Sequence, residues 1–161
     1  MTVSDLDEMS REMAASLRQS PSIARRDQHS PPWVVSIDKV LNLSNDVMTE
    51  SEQWFVIAKL RSSLPIQSLG HQRNITFVMP AEQVRRLRED ADLDTAVPDF
   101  ASTRRPTHQL TATFRSLTRA QAKQQTELYY CEFELIDLER GEPVWTDRVE
   151  YKRAAKGHVW D

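Results

Sequence analysis

The clearest pattern in the chain is a period of two that begins near residue 108 and runs almost to the end. Alternate positions are apolar in three successive stretches: Leu110, Ala112 and Phe114, then Tyr129, Cys131, Phe133 and Leu135, then Trp145, Val149 and Tyr151. Between them lie Thr111, Thr113, Arg115, Glu132, Glu134, Thr146, Arg148 and Glu150, all polar. Side chains of a strand point alternately to its two faces, so each stretch reads as a strand with one covered and one wet face. Strands at about 108–118, 127–138 and 143–152 are expected, with a polar connection Arg119–Gln125 and a three-residue turn Glu139-Arg140-Gly141 in which glycine takes positive φ. Folding the chain at those turns sets Cys131 across from Phe114 and Glu132 across from Arg148. Apolar and polar positions then sort onto opposite faces of all three strands, which defines an antiparallel meander.

Upstream the periodicity is helical or broken. Ser4 precedes an acidic first turn with Asp5, Asp7 and Glu8, and Leu6, Met9, Met13 and Leu17 recur at helical spacing, predicting a helix over 4–19. Residues 20–32 hold three prolines and no period, and read as a linker over the surface with at most one helical turn. Trp33 to Leu41 alternates as a strand, with Trp33, Val35, Ile37 and Lys39 on one side. Thr49 and Glu52 form a capping-box pair before the apolar stretch Trp54–Leu64. Phe55, Val56, Ala58 and Leu60 surround most of that helix, so it is expected to be largely covered by protein and to end at Pro65 and Gly70. Ile75–Met79 reads as a short strand, and Pro80 opens a helix with Val84, Leu87 and Ala91 on one face. Residues 94–107 read as a polar loop. The order helix, strand, helix, strand, helix, three strands predicts a single α/β domain over 1–161, with its core in 33–152 and a tail at 153–161. Its mixed sheet has about five strands, ends in the meander, and is flanked by three to four helices.

Composition narrows the function. The 161 residues carry 21 basic and 24 acidic side chains, a net charge of -3. No positive field of the kind nucleic acid requires is present, so no nucleic-acid partner is expected. The clusters Arg25-Arg26, Arg85-Arg86-Arg88 and Arg104-Arg105 are diluted by nearby carboxylates and read as solvated faces. No apolar run approaches the ~20 residues that span a bilayer. MTVSDLDEM lacks the charged and apolar regions of a signal peptide, so the chain reads as cytosolic or as the mature part of an exported protein.

Chemistry is sparse. His29, His71, His108 and His158 are scattered and form no H-x-H or H-x-x-x-H pair, and Cys131 has no second cysteine, so no metal site is expected. Cys131 falls on the apolar face of its strand and reads as a core thiol. The three glycines, Gly70, Gly141 and Gly157, are far apart, which excludes a glycine-rich phosphate cradle. Glu132 and Glu134 read as solvent-facing residues with basic cross-strand partners. Tyr129, Tyr130, Trp145 and Tyr151 could stack bases, but three of the four lie on the core face. Asn42 and Asn74 begin glycosylation sequons, and Asn42 is also placed to cap the turn that follows it. No catalytic, cofactor-binding or metal residues are assigned, and neither a cofactor nor a small-molecule substrate is expected.

A resemblance extends this reading. SDLDEMSREMAASLRQSPSI, PPWVVSIDKVLNLSND, a helix with KLRSSL, THQLTATFRS, ELYYCEFELIDLERGEPVWTDRVEYKR and the terminal AAKGHVWD occur in the order seen in one family. Asp137-Leu138, the Gly141 turn, Val144-Trp145 and the last aromatic-charged strand are its most specific part. Over roughly residues 4–161 the chain resembles the penicillin-binding-protein activator LpoB family of outer-membrane lipoproteins. The resemblance implies a non-catalytic domain like the amino-terminal domain of TolB. It also implies a class A penicillin-binding protein as partner, whose glycan-polymerising and crosslinking activities are stimulated from the periplasmic face of the outer membrane. The membrane is then reached only through a lipid anchor. The sequence contains no lipobox cysteine and no long tether, which leaves anchoring and reach open. The alternative reading is an envelope assembly or secretion-associated factor of the same fold. Partner-contact residues are not assigned by the resemblance.

Overall fold

The computed structural model describes residues 3–38, 40–44, 48–80, 104–121 and 124–156. In chain order they form α1 (Val3–Gln19), α2 (Pro21–Ala24), β1 (Trp33–Ile37), β2 (Leu41–Leu43), α3 (Glu50–Ser63), α4 (Ile66–Arg73), β3 (Ile75–Val78), β4 (His108–Gln121), β5 (Gln124–Asp137) and β6 (Glu142–Lys156). The sheet order is β3-β1-β4-β5-β6, and β2 also pairs with β4, parallel to it, beyond the end of β1. β1 runs parallel to both β3 and β4, whereas β4, β5 and β6 are antiparallel, so the sheet is mixed as the element order predicts.

The meander has the expected register. Phe114 pairs with Cys131, Cys131 with Val149 and Glu132 with Arg148. Gly141 supplies the positive φ of the second turn, at 70°. The first hairpin is longer than the polar connection suggested, because β4 continues to Gln121 and β5 starts at Gln124. The one irregularity in the β5–β6 ladder falls between Leu135 and Ile136, where the partner jumps from Trp145 to Pro143. Proline has no N–H for the ladder, and a bulge is where a sheet tolerates it.

One face of this sheet is covered by helices. Met9, Met13 and Leu17 of α1 and Val56, Ile57 and Leu60 of α3 join Leu110, Phe114, Phe133, Leu135 and Trp145 in a single core. Each fully buried side chain of this size contributes on the order of 2–3 kcal/mol relative to exposure. A polar contact fixes the packing angle: Ser16 of α1 donates a hydrogen bond to the Asp147 carboxylate of β6. At the start of α3, Thr49 Oγ1 accepts from Glu52 N at 3.2 Å while Glu52 returns to Thr49 N at 2.7 Å, the expected capping box.

Four expectations are corrected by the fold. Residues 33–41 are not one strand: the bond from Asp38 N–H to Leu110 O at 3.1 Å is the last rung of β1 on β4, and the chain re-enters the sheet at Leu41. α3 is covered less completely than expected: Val56, Ile57 and Leu60 are buried and Trp54 and Phe55 pack against the core, while Ala58 is exposed. It ends at Leu64, which the following Pro65 holds in extended backbone. Gly70 does not end it but lies inside the separate helix α4, which closes on Asn74 in the left-handed conformation. Residues 20–32 are docked to the domain: α2 puts Ile23 into the core, and Arg26 is buried. The helix expected after Pro80, with Val84, Leu87 and Ala91, and the tail at 157–161 lie outside the described residues.

Candidate functional site

Most residues that the sequence singled out are used by the fold. Cys131 is fully buried opposite Phe114, and burial pushes its thiol well above the usual pKa. Tyr129 and Trp145 are core residues. Tyr130 lies on the outer face, with the Arg148 guanidinium 5.6 Å from its ring centroid, while the Tyr151 side chain and His158 lie outside the described residues. Asn42 Oδ1 accepts from Ser44 N at 3.1 Å and Ser44 Oγ at 2.7 Å, the expected turn cap. Asn74 Nδ2 donates to Ser30 O at 2.9 Å, tying α4 to the proline-rich segment. His29 and His71 are exposed and His108 is buried. Among the described residues no three His, Cys, Asp or Glu side chains are gathered as a metal site would need.

Arg26 departs most from expectation. Instead of lying on a solvated face, its guanidinium sits 4.0 Å over the Trp33 ring and donates from Nε to Arg73 O at 3.1 Å and from Nη2 to Pro31 O. Arg73 reciprocates through Nη1 to Ala24 O at 2.8 Å and to Arg26 O. The two arginines clamp the proline-rich segment onto the end of α4. The exchange of side-chain and carbonyl bonds between Arg26 and Arg73, 47 residues apart, leaves no local sequence signal for such a clamp.

Several depressions break the surface formed by the described residues. One of about 490 Å³ lies beside this clamp and is lined by Pro31, Trp33, Pro106, His108, Asp137 and Leu138. The His108 ring stacks on Trp33 with centroids 4.0 Å apart, and its Nδ1 lies 2.9 Å from Thr107 Oγ1. Burial lowers the His108 pKa, and Asp137 and Arg26 act on it in opposite directions. The Asp137 carboxyl is held low because its Oδ1 accepts the N–H groups of Arg140 at 3.1 Å and Glu139 at 2.9 Å. Both groups are thus engaged in holding loops. The second depression, about 370 Å³, is an apolar cleft of Ile37, Trp54, Ile57, Val78 and Met79. A third, about 420 Å³, runs between α1 and α3, where Asp7 holds Arg11 at 2.6 Å and Lys59 at 3.3 Å.

The outer face of the sheet is less polar than its sequence suggests. Register places Leu43, Arg115, Tyr130 and Glu150 in one row across β2, β4, β5 and β6, and Leu41, Thr113, Glu132 and Arg148 in the next. On the other side of the first row Leu117 pairs with Leu128. Leu41, Leu43 and Leu117 are 55%, 49% and 53% exposed. The fourth exposed large hydrophobic among the described residues, Leu138, lies in the 490 Å³ depression. Charges near the leucines pair within the sheet: Arg115 with Glu132 at 3.3 Å and Arg148 with Glu150 at 2.8 Å. The break at Asp38 creates this patch. It flips the alternation by one residue, sending Val40 into the core and Leu41 and Leu43 to solvent.

Helices on one face of a mixed sheet, with exposed leucines on the second face, describe an α/β domain. The family is specific: the model of the peptidoglycan-synthase activator LpoB family matches residues 5–151, and the chain belongs to that family. The family is one of activators of an enzyme, which makes its members regulators of peptidoglycan synthesis. Solved structures similar to the chain include the LpoB C-terminal domain from Escherichia coli, at 15% identity and TM-score 0.49, covering 92% of this chain and 99% of that one. The LpoB C-terminal domain from Salmonella enterica is similar at 15% identity and TM-score 0.47, covering 95% and 99%. A lipoprotein from Neisseria meningitidis is similar at 18% identity and TM-score 0.44, covering 77% and 85%. A search of curated proteins finds no match. No helix among the described residues is long and apolar enough to cross a membrane.

Proposed function

We propose that this protein binds a class A penicillin-binding protein at the periplasmic face of the outer membrane and stimulates its synthesis of peptidoglycan. The observation that carries the reading is the match to the synthase-activator family over residues 5–151, which takes in the helices, the sheet and the meander. The protein contributes no reacting group. It raises the rate by binding the active conformation of the synthase more tightly than the resting one. A tenfold stimulation through such a shift needs a difference of only about 1.4 kcal/mol between the two affinities. A contact surface of moderate size supplies that.

The test is capture on the purified protein from detergent-solubilised envelope proteins of its own organism, with mass-spectrometric identification. A class A penicillin-binding protein is the expected catch. Recovery of secretion or Tol-type components with no synthase would shift the reading to an envelope assembly factor.

A further inference from the structure

We infer that the synthase docks on the outer face of the sheet, at the leucine patch formed by Leu41, Leu43 and Leu117 with the half-buried Leu128 and Tyr130 beside them. The inference rests on the proposed function for the identity of the partner and adds where it binds and what chemistry it presents. Of the four large hydrophobic residues exposed among the described residues, three occupy neighbouring ladder positions at the β2 edge of β4. Contiguous exposed leucine on a monomer is more informative than the same residues scattered singly. The patch also lies on paired strands, so its side chains are preordered and little conformational entropy is lost when they are covered.

Charge decides the chemistry of the occupant. Two cations at the rim, Arg115 and Arg148, already face Glu132 and Glu150 within the same sheet. Among the described side chains the rim charges are balanced, so the complement of the patch is an uncharged apolar surface on the partner. A cationic or anionic groove would leave its own charges desolvated and unpaired against these leucines.

Area argues for a different protein over a second copy of this chain. Three half-exposed leucines with their neighbours offer on the order of 300 Å² of apolar surface, the size of a functional patch on a monomer. A stable dimer buries ~800 Å² on each partner, so the patch is too small to hold two copies together. It matches the apolar centre of a transient interface with a larger polar rim.

The experiment measures binding of the purified class A penicillin-binding protein of the same organism to three forms of the full chain. They are the parent, the triple variant Leu41→Ser/Leu43→Ser/Leu117→Ser, and a control Glu8→Gln/Glu12→Gln on the exposed side of α1. Far-ultraviolet circular dichroism and thermal melts confirm that each is folded. The expected result is at least about a tenfold weaker complex for the triple variant, with the control unchanged. Affinity of the parent should change less than about threefold between 0.05 and 0.3 M salt, because an apolar contact is not screened. If the triple variant does not fold, Leu117→Ser alone is measured in its place. Parent and triple variant binding equally well would overturn the docking face while leaving the proposed function intact. A parent that binds no synthase would overturn both. Self-association of the parent by sedimentation, abolished in the triple variant, would assign the patch to a second copy instead.

Discussion

Replacing Trp145 by alanine tests the face assignment of the whole meander. Trp145 lies on β6 opposite Leu135, is 8% exposed, and closes the core near the bulge at Leu135/Ile136. A tryptophan side chain buries on the order of 200 Å². At ~25 cal/mol per Å² its removal forfeits at most about 5 kcal/mol, before a correction for surface that is already covered in the unfolded chain. β6 ends the strand order, so the site can partly close over the cavity, which trims the loss further. The expected cost is about 3–4 kcal/mol. For a domain of this length that corresponds to a fall in Tm of roughly 10 °C. Urea unfolding of parent and variant, followed by circular dichroism with the m-value shared between them, measures the change directly. Leu117→Ala, on the opposite face, is the internal control and should alter stability by less than about 0.5 kcal/mol. A loss below about 1 kcal/mol for Trp145→Ala, or equal losses for the two variants, would show that the inner and outer faces have been assigned wrongly.

Thr49→Ala removes one half of the capping box of α3 and should lower stability by about 1 kcal/mol in the same urea assay. Cys131 should resist an aromatic disulfide reagent at pH 8 in the folded protein and react within seconds once urea unfolds it, since burial suppresses the thiolate. Asp137 has a folded pKa below its ordinary value, so its carboxylate stabilises the second turn above the ordinary carboxylate range, and this contribution is lost as pH falls through the folded value. Asp137→Ala should therefore melt below the parent at pH 7, with the gap narrowing below about pH 4. A gap that stays constant with pH would show that the charged form is not what holds the turn.

The meander was legible because long strands repeat the same alternation and a short glycine turn fixes their pairing. A one-residue slip there would have put Phe133 in water and Glu132 in the core. The capping box of α3 was legible for a similar reason, since Thr49 and Glu52 act within one turn. α4 was missed because IQSLGHQR buries only Leu69 and has no apolar stripe to mark a helix. The segment 20–32 reads as surface because its prolines say nothing about where Ile23 and Arg26 dock. Those positions depend on Trp33, Arg73 and Pro31, which reach them only through the tertiary fold. The leucine patch was hidden by the same rule that revealed the meander. Extending the alternation of β1 through Leu41 puts that leucine inside, whereas the departure at Asp38 reverses the parity. Gln109 Nε2 holds Asp38 Oδ2 at 3.2 Å, a contact between residues 71 apart in sequence.

The most direct measurement is the rate of glycan-strand synthesis by the purified class A penicillin-binding protein of the same organism, with and without a saturating amount of this protein. A several-fold rise that the Leu41→Ser/Leu43→Ser/Leu117→Ser variant fails to produce is the expected result. A rate that stays unchanged while binding is demonstrably complete would contradict activation and leave a protein that binds the synthase without regulating it.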